Sequence, residues 1–265
     1  MTNEQYLNFL LMTGGGSSTD SDYQAVLTKA SALGYTAPSA AQQELQNTLI
    51  TDLKTAGVWD KLDALYVFAT DGDSDYATLN WKSPSNNEAD KVNSPTFTEN
   101  RGFTGASLKY IDTNFQQDQG VKHKQNNASF GVYTWSDIAE TTQNFFSVDG
   151  GGFTRLRKRG ASSSNRLNSS TPPTPNLRVS TITTAQLCGI QRTSSTESNG
   201  LSGNSTFTTT GIGASVARDN DNFTLFKFGS SYSTGECGLA WIGGSFTLTE
   251  WQDYVSAVET YIGSL

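Results

Sequence analysis

Residues 237–263 read CGLAWIGGSFTLTEWQDYVSAVETYIG, and two periodicities meet inside them. The stretch through Gly244 is short, apolar and bounded by glycines, the pattern of a buried strand. Beyond it, apolar residues recur every three or four positions, so Trp251, Tyr254, Val255, Val258 and Ile262 fall on one helical face. Thr247 and Glu250 have capping-box spacing, Phe246 and Trp251 take the two positions of a hydrophobic staple, and Gly263 is placed to end the helix. A strand that hands over to one amphipathic helix is expected to lay that helix as a lid on its own sheet.

Toward the N-terminus the strand signal recurs. ALYVFAT (64–70) is a continuous apolar run, as expected of a strand covered on both faces. ASFGVYTW (128–135), NFFSVDGGG (144–152), LRVSTITT (177–184) and ASVARDNDNFTLFKFG (214–229) are short segments separated by Gly, Asn, Asp and Ser, with RDNDN reading as a hairpin turn. RGASSSNRLNSSTPPTPN (159–176) has the composition of a surface loop. Before Trp59 the period changes to helical. DSDYQAVLTKASALG (20–34) places Val26, Leu27, Ala30 and Leu33 on one face with Gly34 closing it. PSAAQQELQNTLITDLKTAG (38–57) opens with Ser39 and Gln42 at capping spacing, carries Leu45, Leu49, Leu53 and Ala56, and ends at Gly57. The expectation is a mainly β antiparallel jelly-roll sandwich with a small N-terminal helical hairpin and a C-terminal capping helix. Residues 1–19 are expected to form a flexible or docking arm, 20–58 a helical attachment region and 59–265 the sandwich.

The chain has 265 residues and a net charge of -7, yet only 16% of its residues are charged, so its surface is mostly hydroxyl and amide. An acidic balance argues against nucleic acid, which needs clustered Lys and Arg. No apolar stretch is long enough to cross a membrane as a helix. The N-terminus lacks a basic n-region, so no signal peptide is expected. Cys188 and Cys237 lie in apolar surroundings and read as buried reduced thiols, and a single histidine, His123, leaves little for a catalytic triad or a zinc site.

Four groups of residues carry the chemistry that remains. Asp71, Asp73 and Asp75 alternate after a strand, the opening of many calcium loops. Counted from Asp71, however, the sixth and twelfth positions are Tyr76 and Lys82, where an EF-hand needs glycine and an acid. A tight turn explains the same residues, and calcium is the one possible cofactor. Arg155, Arg157, Lys158 and Arg159 form a basic cluster. Its alternating arginines share a strand face and suit either a charged edge strand or an acidic glycan, phosphate or acidic subunit. Trp81, Tyr110, Trp135 and Tyr232 lie beside polar segments where a ring can stack on a sugar or fill the core. Tyr6, Phe9, Leu10 and Leu11 make the arm apolar enough to dock. The sequons at Asn127, Asn168, Asn204 and Asn222 are expected by chance in so Asn- and Ser-rich a chain.

LAWIGGSFTLTEWQDYVSAVETYI, together with GVWDKLDALYVFATDGDSDYATLNWKSP, KVNSPTFTENRGFTGASLKYIDTNF and NNASFGVYT, resembles concanavalin-A-like (laminin-G-like) jelly-roll domains of phage virion surface proteins. The resemblance covers roughly residues 60–265. It implies a structural virion component (fibre, tail tip or capsid decoration) made in the host cytoplasm. It further implies attachment to other virion proteins through the N-terminal region, homo-oligomerisation, plausibly as a trimer, and a host-surface polysaccharide as possible ligand. A free carbohydrate-binding module and a glycan hydrolase of the same fold are the alternatives. No catalytic residue is expected: sandwich glucanases alternate their acids on one strand, whereas Glu88, Glu99, Glu140, Glu197 and Glu236 stand isolated.

Overall fold

The computed structural model describes residues 18–135, 144–149, 154–157, 165–169, 185–204, 208–211 and 214–265. Two helices come first, α1 (Ser21–Leu33) and α2 (Ala40–Thr55), and one comes last, α3 (Leu248–Gly263). Between them run β1 (Leu62–Val67), β2 (Asp90–Val92), β3 (Thr96–Thr98), β4 (Gly102–Gly105) and β5 (Tyr110–Gln116). β6 (Ala128–Thr134), β7 (Asn144–Val148), β8 (Thr154–Arg157), β9 (Gln186–Arg192) and β10 (Glu197–Ser202) follow. The last five are β11 (Thr208–Gly211), β12 (Asn222–Leu225), β13 (Lys227–Phe228), β14 (Ser231–Tyr232) and β15 (Gly235–Gly243).

The strands make an antiparallel sandwich. An eight-stranded sheet runs β11-β10-β9-β6-β15-β4-β3, with β1 also on β15. A five-stranded sheet runs β2-β5-β12-β7-β8. β15 is the axis of the large sheet. One flank pairs with β6, Trp241 opposite Gly131. The other is shared by β4, Cys237 opposite Phe103, and β1, Leu65 opposite Trp241.

The central strands of the large sheet, β1, β6 and β15, are buried on both faces, which is why they read as apolar runs. Ala64, Tyr66, Phe130, Val132, Ala240 and Ile242 point into the sandwich, where they meet Phe146, Phe223 and Leu225 of the small sheet. Leu65, Val67, Tyr133, Leu239 and Trp241 point the other way into a second core built with all three helices. Trp241 anchors that second core, its ring 5.7 Å from Trp251 and 5.4 Å from Tyr254. Gly131 and Gly189 make room beneath it, since a Cβ at Gly131 would stand 2.1 Å from the indole. The lid expected of the C-terminal helix is therefore one wall of a shared layer.

The capping signals act as read. Thr247 and Glu250 form the reciprocal box of α3 and Ser39 caps α2, while Asp20, not singled out from the sequence, caps α1. Gly34 ends α1 at φ 76°. α3 runs through Gly263 and is capped by Ser264, one residue beyond the expected end.

Three expectations need correction. α1 buries Tyr23, Val26 and Ala30, whereas Leu33 is 41% exposed. The tyrosine turns the helix, because its large ring is buried and its hydroxyl donates to Gln46 Oε1 at 2.8 Å. Residues 165–169 are buried, although composition suggested a surface loop: Arg155 and Arg166 exchange backbone hydrogen bonds, and Asn168 Oδ1 accepts from Gln117 Nε2. Residues 214–219 are no strand of a hairpin with β12. Arg218 instead donates to the carbonyls of Gln117, Gly120 and His123, which fixes an irregular path. LRVSTITT lies outside the described residues.

Candidate functional site

The outer face of the five-stranded sheet gathers the polar chemistry. Alternation on β8 sends Thr154 and Leu156 inward and Arg155 and Arg157 outward. Register then carries a transverse row across all five strands: Arg155 lies opposite Ser147, Ser147 opposite Thr224, Thr224 opposite Asp112, and Asp112 opposite Asp90. On β5 the same alternation turns Tyr110, Asp112, Asn114 and Gln116 outward while Ile111 and Phe115 fill the core.

The hairpin of β13 and β14 folds beside β7 and borders this row. Lys227 Nζ stands 2.5 Å from Asp149 Oδ2 and 5.3 Å from the centre of the Tyr110 ring. The rings of Tyr110 and Tyr232 are 6.3 Å apart, and the Arg155 guanidinium lies 5.8 Å from the Phe228 ring. Next to them opens a recess of about 260 Å³, lined by Asp112, Gln116, Asp149, Asn222, Thr224 and Lys227 among others. Asp112 Oδ1 is held at 2.9 Å by the Asn114 amide and at 2.9 Å by Asn222 Nδ2, so its position is set before anything binds.

Electrostatically the face is divided. Burial, and then the like charges of Arg157 and Arg166, bring the Arg155 guanidinium down to about 10. Burial lowers Arg157 as well. An anion placed over these arginines would relieve their mutual repulsion. Burial also opposes the charge on Lys227, but the Asp149 carboxylate outweighs it and raises the ammonium. A carboxylate-rich recess thus lies beside a cationic strip, with tyrosine rings between hydroxyl and amide donors.

The other candidates separate from this face. Lys158 and Arg159, and the arm residues Tyr6, Phe9, Leu10 and Leu11, lie outside the described residues. Trp81 has no exposed surface and packs 5.7 Å from Tyr23, so it offers no stacking platform; its position after the turn carries it into the helix-side core. Trp135 is half-buried against that same core, on the other side of the large sheet from the arginines. Arg101 covers its ring at 4.8 Å, and its indole N–H donates to the Arg101 carbonyl.

Asp71, Asp73 and Asp75 form a turn that ties the sandwich to the helices. Asp73 accepts from the backbone N–H groups of Asp75 and Tyr76 and, at 2.7 Å, from Thr36. Asp71 accepts from Ser39 N–H at 3.0 Å, and Asp75 pairs with Lys91. Burial would raise the Asp73 carboxyl, but the donated amides outweigh it and hold it below 3.8. The three carboxylates serve three different partners. Among the described residues no group of three His, Cys, Asp or Glu side chains is placed to hold a metal ion.

Cys188 and Cys237 are buried thiols. His123 is fully buried, edge-on to Phe223 at 5.4 Å, and burial followed by the Arg218 charge brings it down to about 4. Glu88 accepts from the Tyr35 hydroxyl, Glu236 pairs with Arg101, and Glu250 pairs with Lys61. The residues the sequence reading passed over are Asp112, Gln116, Asp149, Asn222 and Lys227. The signal was present in YIDTNFQ, residues 110–116, whose polar positions alternate with apolar ones on one strand.

No family model matches the chain, and no curated protein matches it. Solved structures give low-level similarities. Domain 4 of an extracellular arabinanase from Geobacillus stearothermophilus, in complex with arabinotriose, aligns over 74% of this chain and 98% of that one. Its TM-score is 0.49 at 15% identity. A mutant Trypanosoma rangeli sialidase with trans-sialidase activity aligns over 84% of this chain but 40% of its own length, with a TM-score of 0.48 at 10% identity. Similarity at this level assigns no function to the chain.

Proposed function

We propose that the chain is a non-enzymatic structural protein of a phage virion surface, and that it binds a host-surface glycan on the outer face of its five-stranded sheet. The observation that carries the binding is the recess of about 260 Å³ between Asp112, Asn222 and Lys227, with the Tyr110–Tyr232 pair at its border. Sugar hydroxyls need planar carboxylate and amide partners, and the C–H face of a pyranose needs an aromatic neighbour; the recess supplies both. Arg155 and Arg157 next to it extend the preference to acidic saccharides. The virion role rests on the resemblance of the sequence, with attachment to other virion proteins through the N-terminal region and assembly into homo-oligomers.

A glycan array comparing the intact protein with Tyr110→Ala, Asn222→Ala and Arg155→Ala variants tests the binding. A host polysaccharide is expected to bind, with Tyr110→Ala and Asn222→Ala weakening it by about tenfold. Silence on every glycan would sink the reading, and release of reducing ends from the bound polysaccharide would replace adhesion by hydrolysis.

A further inference from the structure

A second recess, of about 300 Å³, opens where the chain enters β1 and leaves β15. Its wall carries Lys61, Lys122 and Lys124 together with Asp60, Asn127 and Ser245, a concentration of positive charge in a chain whose net charge is -7. Lys61 is committed to Glu250 at 2.5 Å. Among the described residues Lys124 Nζ reaches only the Gly120 carbonyl, at 3.2 Å, and the exposed Lys122 ammonium makes no ion pair. Val121, at the rim, is 68% exposed.

The loop that presents these groups is held from both sides. The Asp63 carboxylate of β1 accepts the backbone N–H groups of Val121, Lys122 and His123 at 2.6–3.0 Å. Arg218 takes the carbonyls of Gln117, Gly120 and His123 at 2.6–3.1 Å. One buried-side carboxylate and one guanidinium thereby fix an exposed turn whose outward side chains are a valine and two lysines. Fixing a surface turn lowers the ordering cost that any ligand would otherwise meet. Gly244 forms part of the floor, where a Cβ would press on the Asn127 amide oxygen and the Lys122 carbonyl, both at 3.3 Å.

From this arrangement we infer that the recess is a binding site for one carboxylated sugar unit of an acidic polysaccharide. The carboxylate lies between Lys122 and Lys124, the ring's C–H face rests on Val121, and Asp60, Asn127 and Ser245 take its hydroxyls. The volume is at the lower end of small-ligand sites, which suits one or two sugar rings. Asp60 disfavours a phosphate dianion while accepting hydroxyls, so it selects a singly charged, hydroxyl-rich ligand. The site is separate from the sheet face, and neither depends on the other.

Isothermal titration of the full chain with digalacturonic acid tests the inference, with digalactose and inorganic phosphate as the comparison probes. Digalacturonic acid is expected to bind at low salt and to weaken as salt rises. The Lys122→Ala/Lys124→Ala variant should lose about fivefold or more in affinity, and so should Val121→Asp, with melting temperatures unchanged because all three side chains are exposed. Asn222→Ala on the sheet face should leave this binding intact. Absence of binding, equal binding of digalactose, tighter binding of phosphate, or full affinity in the double-lysine variant would each overturn it.

Discussion

At the scale of single residues, two side chains decide more than their local sequence suggests. His123 is fully buried against Phe223 with its ring nitrogens toward Ser129 O and Gln117, and it is neutral in the fold because burial brings it down to about 4. An unfolded chain protonates the same group near 6.5, so the unfolded state binds the extra proton first. Stability is therefore full above pH 6.5 and is lost as pH falls toward 4, by about 3 kcal/mol in all. Asp73 and Glu250, held below their ordinary values, add losses only at lower pH. Urea unfolding at pH 7 and pH 5 isolates the histidine, and a flat profile between them would contradict its neutral burial. Asp63 is the other such residue. Nothing in LDALYV marks it as the acceptor for amides some sixty positions away, since such a contact exists only once the strand and the turn are packed. The aspartate turn was readable because Asp73 accepts the amides of Asp75 and Tyr76 within its own turn, whereas Trp81 looked exposed because polar residues flank it and burial depends on where the chain turns next.

At the scale of elements, local signals were reliable where the chain satisfies its own backbone. The three helices were legible because each has a side-chain cap within three residues of its start. The α3 box contributes measurably: Thr247→Ala removes the acceptor of the Glu250 N–H and should cost about 1 kcal/mol, read as a drop in the urea midpoint with unchanged slope. An unchanged midpoint would show that the packing of Trp251 and Tyr254 fixes the helix end without the cap. Of the large sheet, β1, β6 and β15 were also legible, since two-sided burial leaves an apolar run, whereas the more polar β3, β9 and β10 were passed over. The segments that misled are those whose backbone is satisfied by distant side chains. Residues 165–169 carry loop composition, yet Gln117 and Thr154 order them inside the fold, whereas residues 214–219 read as one side of a hairpin and follow an irregular path that Arg218 ties to the turn at 117–123. The recess beside Tyr110 was hidden for a related reason: its lining comes from β5, the residue after β7, β12 with its approach, and β13, and only register brings those together.

At the scale of the whole molecule, three layers stack as helices, large sheet and small sheet. A polar hub joins the first two layers: Gln46 accepts from Tyr23 and Tyr76 and donates to Thr70 and Tyr261, so helices at both ends of the sequence meet the sheet through one amide. None of the three described helices packs on the outer face of the five-stranded sheet, and the candidate recess lies there. The central place of β15 has a consequence in time as well as in space. Its partners are Leu62 to Val67 on one side and Ser129 to Thr134 on the other, so among the described strands of the large sheet the middle one is the last to be synthesised. Until it arrives, β1, β4 and β6 have open edges that can join neighbouring chains, and folding waits on contacts of very long sequence separation. Refolding followed through intrinsic tryptophan fluorescence should accordingly be slow, on the order of seconds, and more prone to aggregation as protein concentration rises. Sub-millisecond recovery would show that the sheet assembles around some other strand. A chain built this way closes like an arch, whose stones stay loose until the keystone is set.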